Sequence, residues 1–372
     1  GKTSLRGGYG VFFDQISANV VHTAEAPWRG VDQLRNGRMD DPYNSLNRPF
    51  PPEGVLQGRF GCVNIAQFPG VSCQFFPLPA QTVFTEPYLR TPYTQSINLT
   101  IQRQVSQDVV IEASYAGKIS TKLEGHRHWN PAVFMPSRLN GRPPTAQNAN
   151  ERVLYPETLG LINTQSRVLG NDFRAWYHSL QLGVDKRFTR GFSVRGSYVL
   201  SKLIDNVVAP EPGLTPGVAN PFNLKQDRGR GNFDHRHVVS ISWLWSPDLR
   251  FKNGFTTRVL GGWSMSGIHF IQSGAPLNIV MGTDVAINGT GQQGLQHAQL
   301  VLGITHKDLT VDHKNRDEFV RQFFNTSAYV PVTQVPFGTY GNGGRNAISG
   351  PASAVTNLSV MKDFRAGEPL KV

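Results

Sequence analysis

The sequence predicts an all-β chain whose antiparallel strands cross a membrane as part of a barrel. Three observations predict it. Apolar and polar side chains alternate with period two in segments of about ten residues. Short turns alternate with long loops along the chain. Aromatic side chains gather toward the ends of the segments, as they do at the two interfaces of a membrane barrel. The aromatics in question are Tyr93, Tyr115, Trp176, Tyr177, Phe188, Phe192, Tyr198, Trp243, Trp245 and Trp263.

The first strand-like segment covers Ser4–Phe13. The clearest hairpin begins at Pro92. Ile97, Leu99 and Ile101 alternate with Ser96, Asn98, Thr100 and Gln102. A turn at Ser106-Gln107-Asp108 follows, and Val109, Ile111, Ala113 and Tyr115 then alternate with Glu112, Ser114 and Ala116. The second hairpin repeats the plan. Leu180, Leu182, Val184 and Phe188 alternate with Ser179, Gln181, Asp185 and Arg187. After a turn at Thr189-Arg190-Gly191, Phe192, Val194, Tyr198 and Leu200 alternate with Ser193, Arg195, Ser197 and Ser201. A third pair is looser. Val239, Ile241, Trp243 and Trp245 lead to a turn at Pro247-Asp248, and Trp263, Met265 and Ile271 mark the return. A last strand is expected over Thr356–Phe364. Between pairs the chain runs through Gly117–Ala175 and Ile204–His235, which read as long loops rich in Pro, Asn, Gly and Arg. A soluble β-sandwich would use shorter strands of about five or six residues.

Composition agrees. The 372 residues include 39% hydrophobic, 10% aromatic and 17% charged residues, with 38 Gly and 22 Phe. No apolar run reaches the roughly 18 residues of a spanning helix. A spanning strand needs one apolar face only, so a polar average does not exclude a membrane. The net charge of +11 is dispersed among the strands and loops. No dense basic cluster of the kind that marks a nucleic-acid-binding face stands out, and no nucleic-acid partner is expected. Cys62 and Cys73 are the only cysteines. A loop disulfide in an oxidising compartment is expected, with two free thiols as the alternative. Two cysteines without a second pair do not make a zinc site.

Other motifs offer little chemistry. His235 and His237, in Asp234-His235-Arg236-His237, fall on one face of a strand, where two imidazoles can hold a metal. No third ligand is evident, so polar residues at a strand start, lining a lumen or its rim, are expected instead. Asp227, Arg228, Arg230 and Asp234, with Lys225 nearby, either pair inside a barrel or form a solvated loop. Gly1-Lys2-Thr3-Ser4 lacks the rest of a phosphate loop, and a strand follows it. The segment Gly262–Gly267 misses the spacing of a nucleophile elbow. Gly341-Asn342-Gly343-Gly344-Arg345-Asn346 reads as a turn or loop. Asn288-Gly289-Thr290 is a chance match to a glycosylation acceptor. No catalytic site, cofactor or metal is expected, and no enzyme activity.

The order of these segments resembles the C-terminal barrel of TonB-dependent outer-membrane receptors, in their Oar-like branch. The resemblance rests on Leu5–Asp14, Pro92–Ser96, Ala113–Gly117, Trp176–Gln181, Arg195–Tyr198, Asp234–His237, Gly261–Trp263, Gln272–Gly274 and Gly343–Asn346. It implies a bacterial outer-membrane location and a barrel of about 22 strands with a plugged lumen. It also implies contact with outer-membrane lipid, coupling to the TonB complex and uptake of a large extracellular ligand such as a siderophore or oligosaccharide. Oar-like members are linked with surface, adhesion and secretion roles as well. Residues 1–372 are expected to be part of one barrel domain supplying roughly eight to ten strands. A plug, a TonB-contacting segment and the closing strands are expected to lie outside them.

Overall fold

The computed structural model describes residues 1–14, 82–158, 162–207, 218–249, 254–290, 296–313 and 315–363. Twelve strands fall among them: β1 (Thr3–Phe13), β2 (Val83–Thr85), β3 (Tyr93–Gln104), β4 (Val109–His128), β5 (Arg167–Thr189), β6 (Phe192–Asp205), β7 (Gly229–Arg230), β8 (His237–Trp245), β9 (Trp263–Gln272), β10 (Pro276–Leu277), β11 (Ile348–Ser349) and β12 (Ser353–Lys362). Eight form one antiparallel wall in the order β1-β3-β4-β5-β6-β8-β9-β12. The short β2 and β7 append to β5 and β6, and β10 pairs with β11 in a separate ribbon. No described helix is long and apolar enough to cross a membrane. The fold is all-β, as the alternation predicts.

Register sorts the side chains onto two faces. Leu5, Ile101, Ala113, Leu182, Tyr198, Val239 and Ile271 lie in one cross-strand row. Leu99, Tyr115, Leu180, Leu200 and His237 form the next row on the same face. These large apolar side chains are exposed: Leu5 to 67%, Leu99 to 47% and Leu180 to 42%. A water-soluble sheet would cover such a face. The opposite face carries Ser96, Thr100, Glu112, Ser114, Gln181, Asp185, Arg195, Ser197 and Ser240. Its side chains bond to one another. Thr94 and Ser120 meet at 2.8 Å, Ser114 donates to Thr100 at 2.9 Å, and Arg195 donates from Nε and Nη2 to Asp185 at 2.9 and 2.6 Å.

The turns at one end are tight. Arg190 and Gly191 both have positive φ, 52° and 77°, which is the type I′ geometry that matches strand twist in a two-residue hairpin. Asp108, in the neighbouring turn, ties the two hairpins together. Its carboxylate accepts from Ser106 at 2.5 Å and from Thr189 at 2.6 Å. Those bonds, that of Ser106 foremost, hold its pKa at about 2. The third connection, expected to begin at Pro247-Asp248, is longer and includes the helix α1 (Gly254–Leu260).

The other end departs further from expectation. Strands β4 and β5 contain 20 and 23 residues, about twice what a tilted span needs. Their outer halves extend well past the neighbouring strands. Register shifts between Ser120 and Leu123 and between Leu123 and Gly125 break the alternation there, and Lys122 sits at φ 58°. Those bulges hide the strand from a period-two reading. The segment expected to be a loop over Gly117–Ala175 is therefore largely strand at both ends. The last strand also sits earlier than expected, over Ser353–Lys362.

Candidate functional site

The interior core of the molecule lies in the long connections. Leu300, Leu309, Ala328 and Ile348 are buried together, with Ile279, Ile304, Phe323, Phe324 and Tyr329 packed around them. A short helix, α2 (Arg316–Arg321), is capped by Asn315, whose side chain accepts from the Glu318 N–H at 2.9 Å. The long connections, which periodicity left without structure, thus make a packed cap on the wall.

A charge network fastens the cap to the end of β6. Arg345 is 5% exposed. Its Nη2 donates to Asp205 Oδ1 at 2.5 Å, and its Nη1 donates to the carbonyls of Asp227 and Asp205 at 3.0 and 3.3 Å. Asp227 is itself buried, accepting from the Ala219 N–H at 3.1 Å and lying 3.1 Å from His297 Nε2. Arg230 Nε donates to Asp234 at 2.8 Å, while the other Asp234 oxygen accepts from the Leu203 N–H at 2.7 Å. Asn346 donates to the Arg230 carbonyl and to Asn232, both at 2.7 Å. Ions taken out of water persist only when paired and fully bonded. This cluster meets that demand, so Asp227, Arg230 and Asp234 belong to a buried clamp. The solvated-loop alternative fails for them; Lys225 and Arg228 are exposed.

A second hub is built on Arg152, which is fully buried. It donates to Asn148 Oδ1 at 3.0 Å and to the carbonyls of Val133, Thr145 and Ile287 at 2.6, 2.9 and 2.7 Å. Asp284 lies across the same region. It accepts from the Asn288 and Gly289 N–H groups at 3.2 and 3.0 Å and from Gln296 at 2.8 Å. Burial pushes the Tyr340 hydroxyl up to about 12, so it stays protonated in the hub. A third cluster sits at the tip of the β4–β5 hairpin. Arg127 bridges Glu86 and Asp172, donating to the latter at 2.9 Å. Its register neighbours His128 and Arg167 are buried face to face. Neither ring nitrogen of His128 has a hydrogen-bond partner, nor has Arg167 Nε.

The polar face of the wall is the other functional surface. Serines, glycines, Asn98, Asn357 and short threonines dominate it, and an open groove of about 560 Å³ runs past Asp185, Arg195, Ser242, Ser266 and Ile268. These short polar groups can touch a hydrated ligand or a second protein segment. Among the described residues no group of three His, Cys, Asp or Glu is placed to hold a metal. His235 and His237 go separate ways. His235 Nδ1 lies 2.7 Å from the Ser273 carbonyl, while His237 Nδ1 meets the Tyr198 hydroxyl at 2.8 Å on the apolar face. The expectation that both line the polar side thus fails for His237, because β8 starts one residue after Arg236 and turns it outward. Cys62 and Cys73 lie outside the described residues. Sequence reasoning missed Arg345, Arg152, Asp205 and His297.

An exposed apolar face opposite a polar one, on an antiparallel wall whose six inner strands are paired on both sides, defines an integral membrane β-barrel wall. A family model described as an outer membrane beta barrel domain matches residues 1–372. The chain belongs to that family and resides in the bacterial outer membrane. No curated protein matches it. Among solved structures it is similar to the outer membrane transporter YddB from Escherichia coli, at 12% identity and a TM-score of 0.32, over 54% of this chain and 23% of that one. In such barrels the short turns face the periplasm and the long loops face outward. Leu182 then sits on the lipid face near mid-wall. Leu182→Arg is expected to destabilise the barrel by about 2–4 kcal/mol, read as a lower urea midpoint in vesicles. Gln181→Arg, one residue away on the polar face, should shift it far less.

Proposed function

We propose that this chain is barrel wall from a TonB-dependent receptor that takes up a large ligand by energised transport. The role is non-enzymatic. One observation carries the reading: the eight long strands form an open wall, with β1 and β12 left unpaired with each other among the described residues. An eight-stranded barrel closes on itself and fills its interior with side chains. This wall instead presents a polar face inward, short Ser, Thr, Gly and Asn side chains together with Glu112, Gln181, Asp185 and Arg195, which suits a wide lumen that a plug or ligand occupies. The resemblance to Oar-like receptors supports the same class. The packed outer cap supplies a rigid surface for first contact with a ligand such as a siderophore or oligosaccharide.

The alternative is a surface, adhesion or secretion-related barrel without transport, and the bulk of the cap favours it. Cells carrying the full-length protein distinguish the two. Accumulation of a labelled ligand should vanish when the TonB complex is deleted, while surface binding persists. Accumulation or adhesion that is indifferent to the deletion supports the alternative.

A further inference from the structure

The outward face of β5 changes character in steps toward the cap. Reading alternate positions, Val184, Leu182 and Leu180 give way to His178, then Trp176, then Arg174. From the turn at Thr189 to His178 is roughly 36 Å of strand, or about 25 Å along the membrane normal at a tilt near 45°, the height of a barrel's apolar band. His178 and its cross-strand partner Lys202 therefore stand at the outer edge of the hydrocarbon.

Three further observations mark what they meet. The Arg228 guanidinium lies over the Trp176 ring, 4.8 Å from its centroid, so a residue of the cap reaches down to the outer interface. Tyr115 holds His178 by a 2.7 Å bond to Nδ1, which leaves the other side of the ring toward the membrane. Arg174 is anchored through its backbone N–H to Asn206 Oδ1 at 2.7 Å, with its side chain exposed. His178, Lys202 and Arg228 are exposed as well. Two carboxylates, Asp172 and Glu86, stand above these residues on the outward side, and Arg127 bridges both. Lys202, Arg228 and Arg174 thus stand on a surface continuous with Leu180, Leu200 and Ile204, while both nearby acids are bridged by Arg127.

We propose that His178, Lys202, Arg228 and Arg174 bind the phosphate groups of anionic lipids in the outer leaflet, phosphorylated glycolipids above all. Guanidinium forks match phosphate oxygens, and acyl chains cover the leucines directly below. A soluble phosphate would gain nothing from that apolar continuation.

The test uses the full-length protein in phosphatidylcholine nanodiscs doped with lipid A, with bound lipid A counted by native mass spectrometry. Each basic side chain near a charged lipid surface is worth about fivefold in affinity. The double variant K202Q/R228Q should therefore lose on the order of tenfold or more. The charge-preserving K202R/R228K should retain binding, and K118Q, on the polar face of β4, should leave it unchanged. Heat-modifiable migration confirms that each variant is folded. Undiminished binding by K202Q/R228Q, or an equal loss in K118Q, overturns the proposal. Displacement of lipid A by inorganic phosphate also overturns it, in favour of a soluble-anion site.

Discussion

Arg345→Met is expected to release the outer cap from the wall while leaving the wall intact. The guanidinium holds the Asp205 carboxylate and two carbonyls in a place nearly closed to water. Methionine fills the volume but strands those acceptors. Removing one partner of a buried ion pair costs about 3–5 kcal/mol, because the other charge stays buried and alone. The loss should appear locally. Hydrogen exchange in 341–349 and 226–230 should accelerate by two or more orders of magnitude, on the order of that energy. Exchange in 178–184 should hold, since that segment is paired on both sides by β4 and β6. Arg345→Lys keeps the charge without the fork and should fall between. Adding Asp205→Asn to Arg345→Met should recover part of the loss, because the stranded charge is gone. Unchanged exchange in 341–349 for Arg345→Met would show that the cap is held by its apolar core alone.

The contrast between wall and cap explains what could be read from the sequence. Strands β3 and β6 and the inner halves of β4 and β5 follow a period of two, because one face meets lipid and the other meets water. Each side chain there answers to a simple solvent rule. Beyond Ser120 that rule ends. The bulges around Leu123 and Gly125 swap the faces, and the outer hairpin meets the cap instead of lipid. In the cap no period exists to find. Leu300, Leu309, Ala328 and Ile348 come together from distant turns, and only their joint burial identifies them. Arg345 illustrates the same limit at the charge network. Its setting, Gly343-Gly344-Arg345-Asn346, reads as a turn or loop. The turn is real, with φ of 73° at Gly344 and 56° at Asn346, yet it packs against Asp205 and Asp227, far away in the chain. The one available signal was a surplus of acid over Asp205–Asp234, four acids against three basic residues, which an arginine from elsewhere could balance. His237 erred in the other direction. A histidine beside charged neighbours suggests a polar lumen, but on the apolar face its ring is satisfied by Tyr198. The same solution recurs at His178 with Tyr115 and at His269, which accepts from Trp243 Nε1 at 3.0 Å.

Acid is expected to open the tip of the β4–β5 hairpin, with His128 as the group responsible. Its ring is buried with neither nitrogen bonded. Burial comes first among the causes that push its pKa down to about 3, followed by the charge of Arg167 and by His126. The unfolded chain binds a proton on this ring near 6.5, whereas the folded hairpin resists it. A folded pKa below the unfolded one means stability that is complete above 6.5 and lost as pH falls from there toward about 3. The loss approaches about 1.4 kcal/mol for each pH unit within that window. Burial also pushes His126 down, so it adds to the trend with the same sign. Arg127 stays fixed between Glu86 and Asp172 and titrates far above the window. Hydrogen exchange in 126–131 and 166–169 is the measurement, taken as the ratio of wild type to His128→Leu at each pH so that the intrinsic pH dependence of exchange cancels. The ratio should climb steadily from pH 6.5 to pH 4. Leucine removes the two unbonded nitrogens, and the variant should be at least as protected as the wild type at pH 7. A ratio flat with pH would mean that protonation of His128 is met by groups that move to solvate it, and the hairpin tip would then be acid-indifferent.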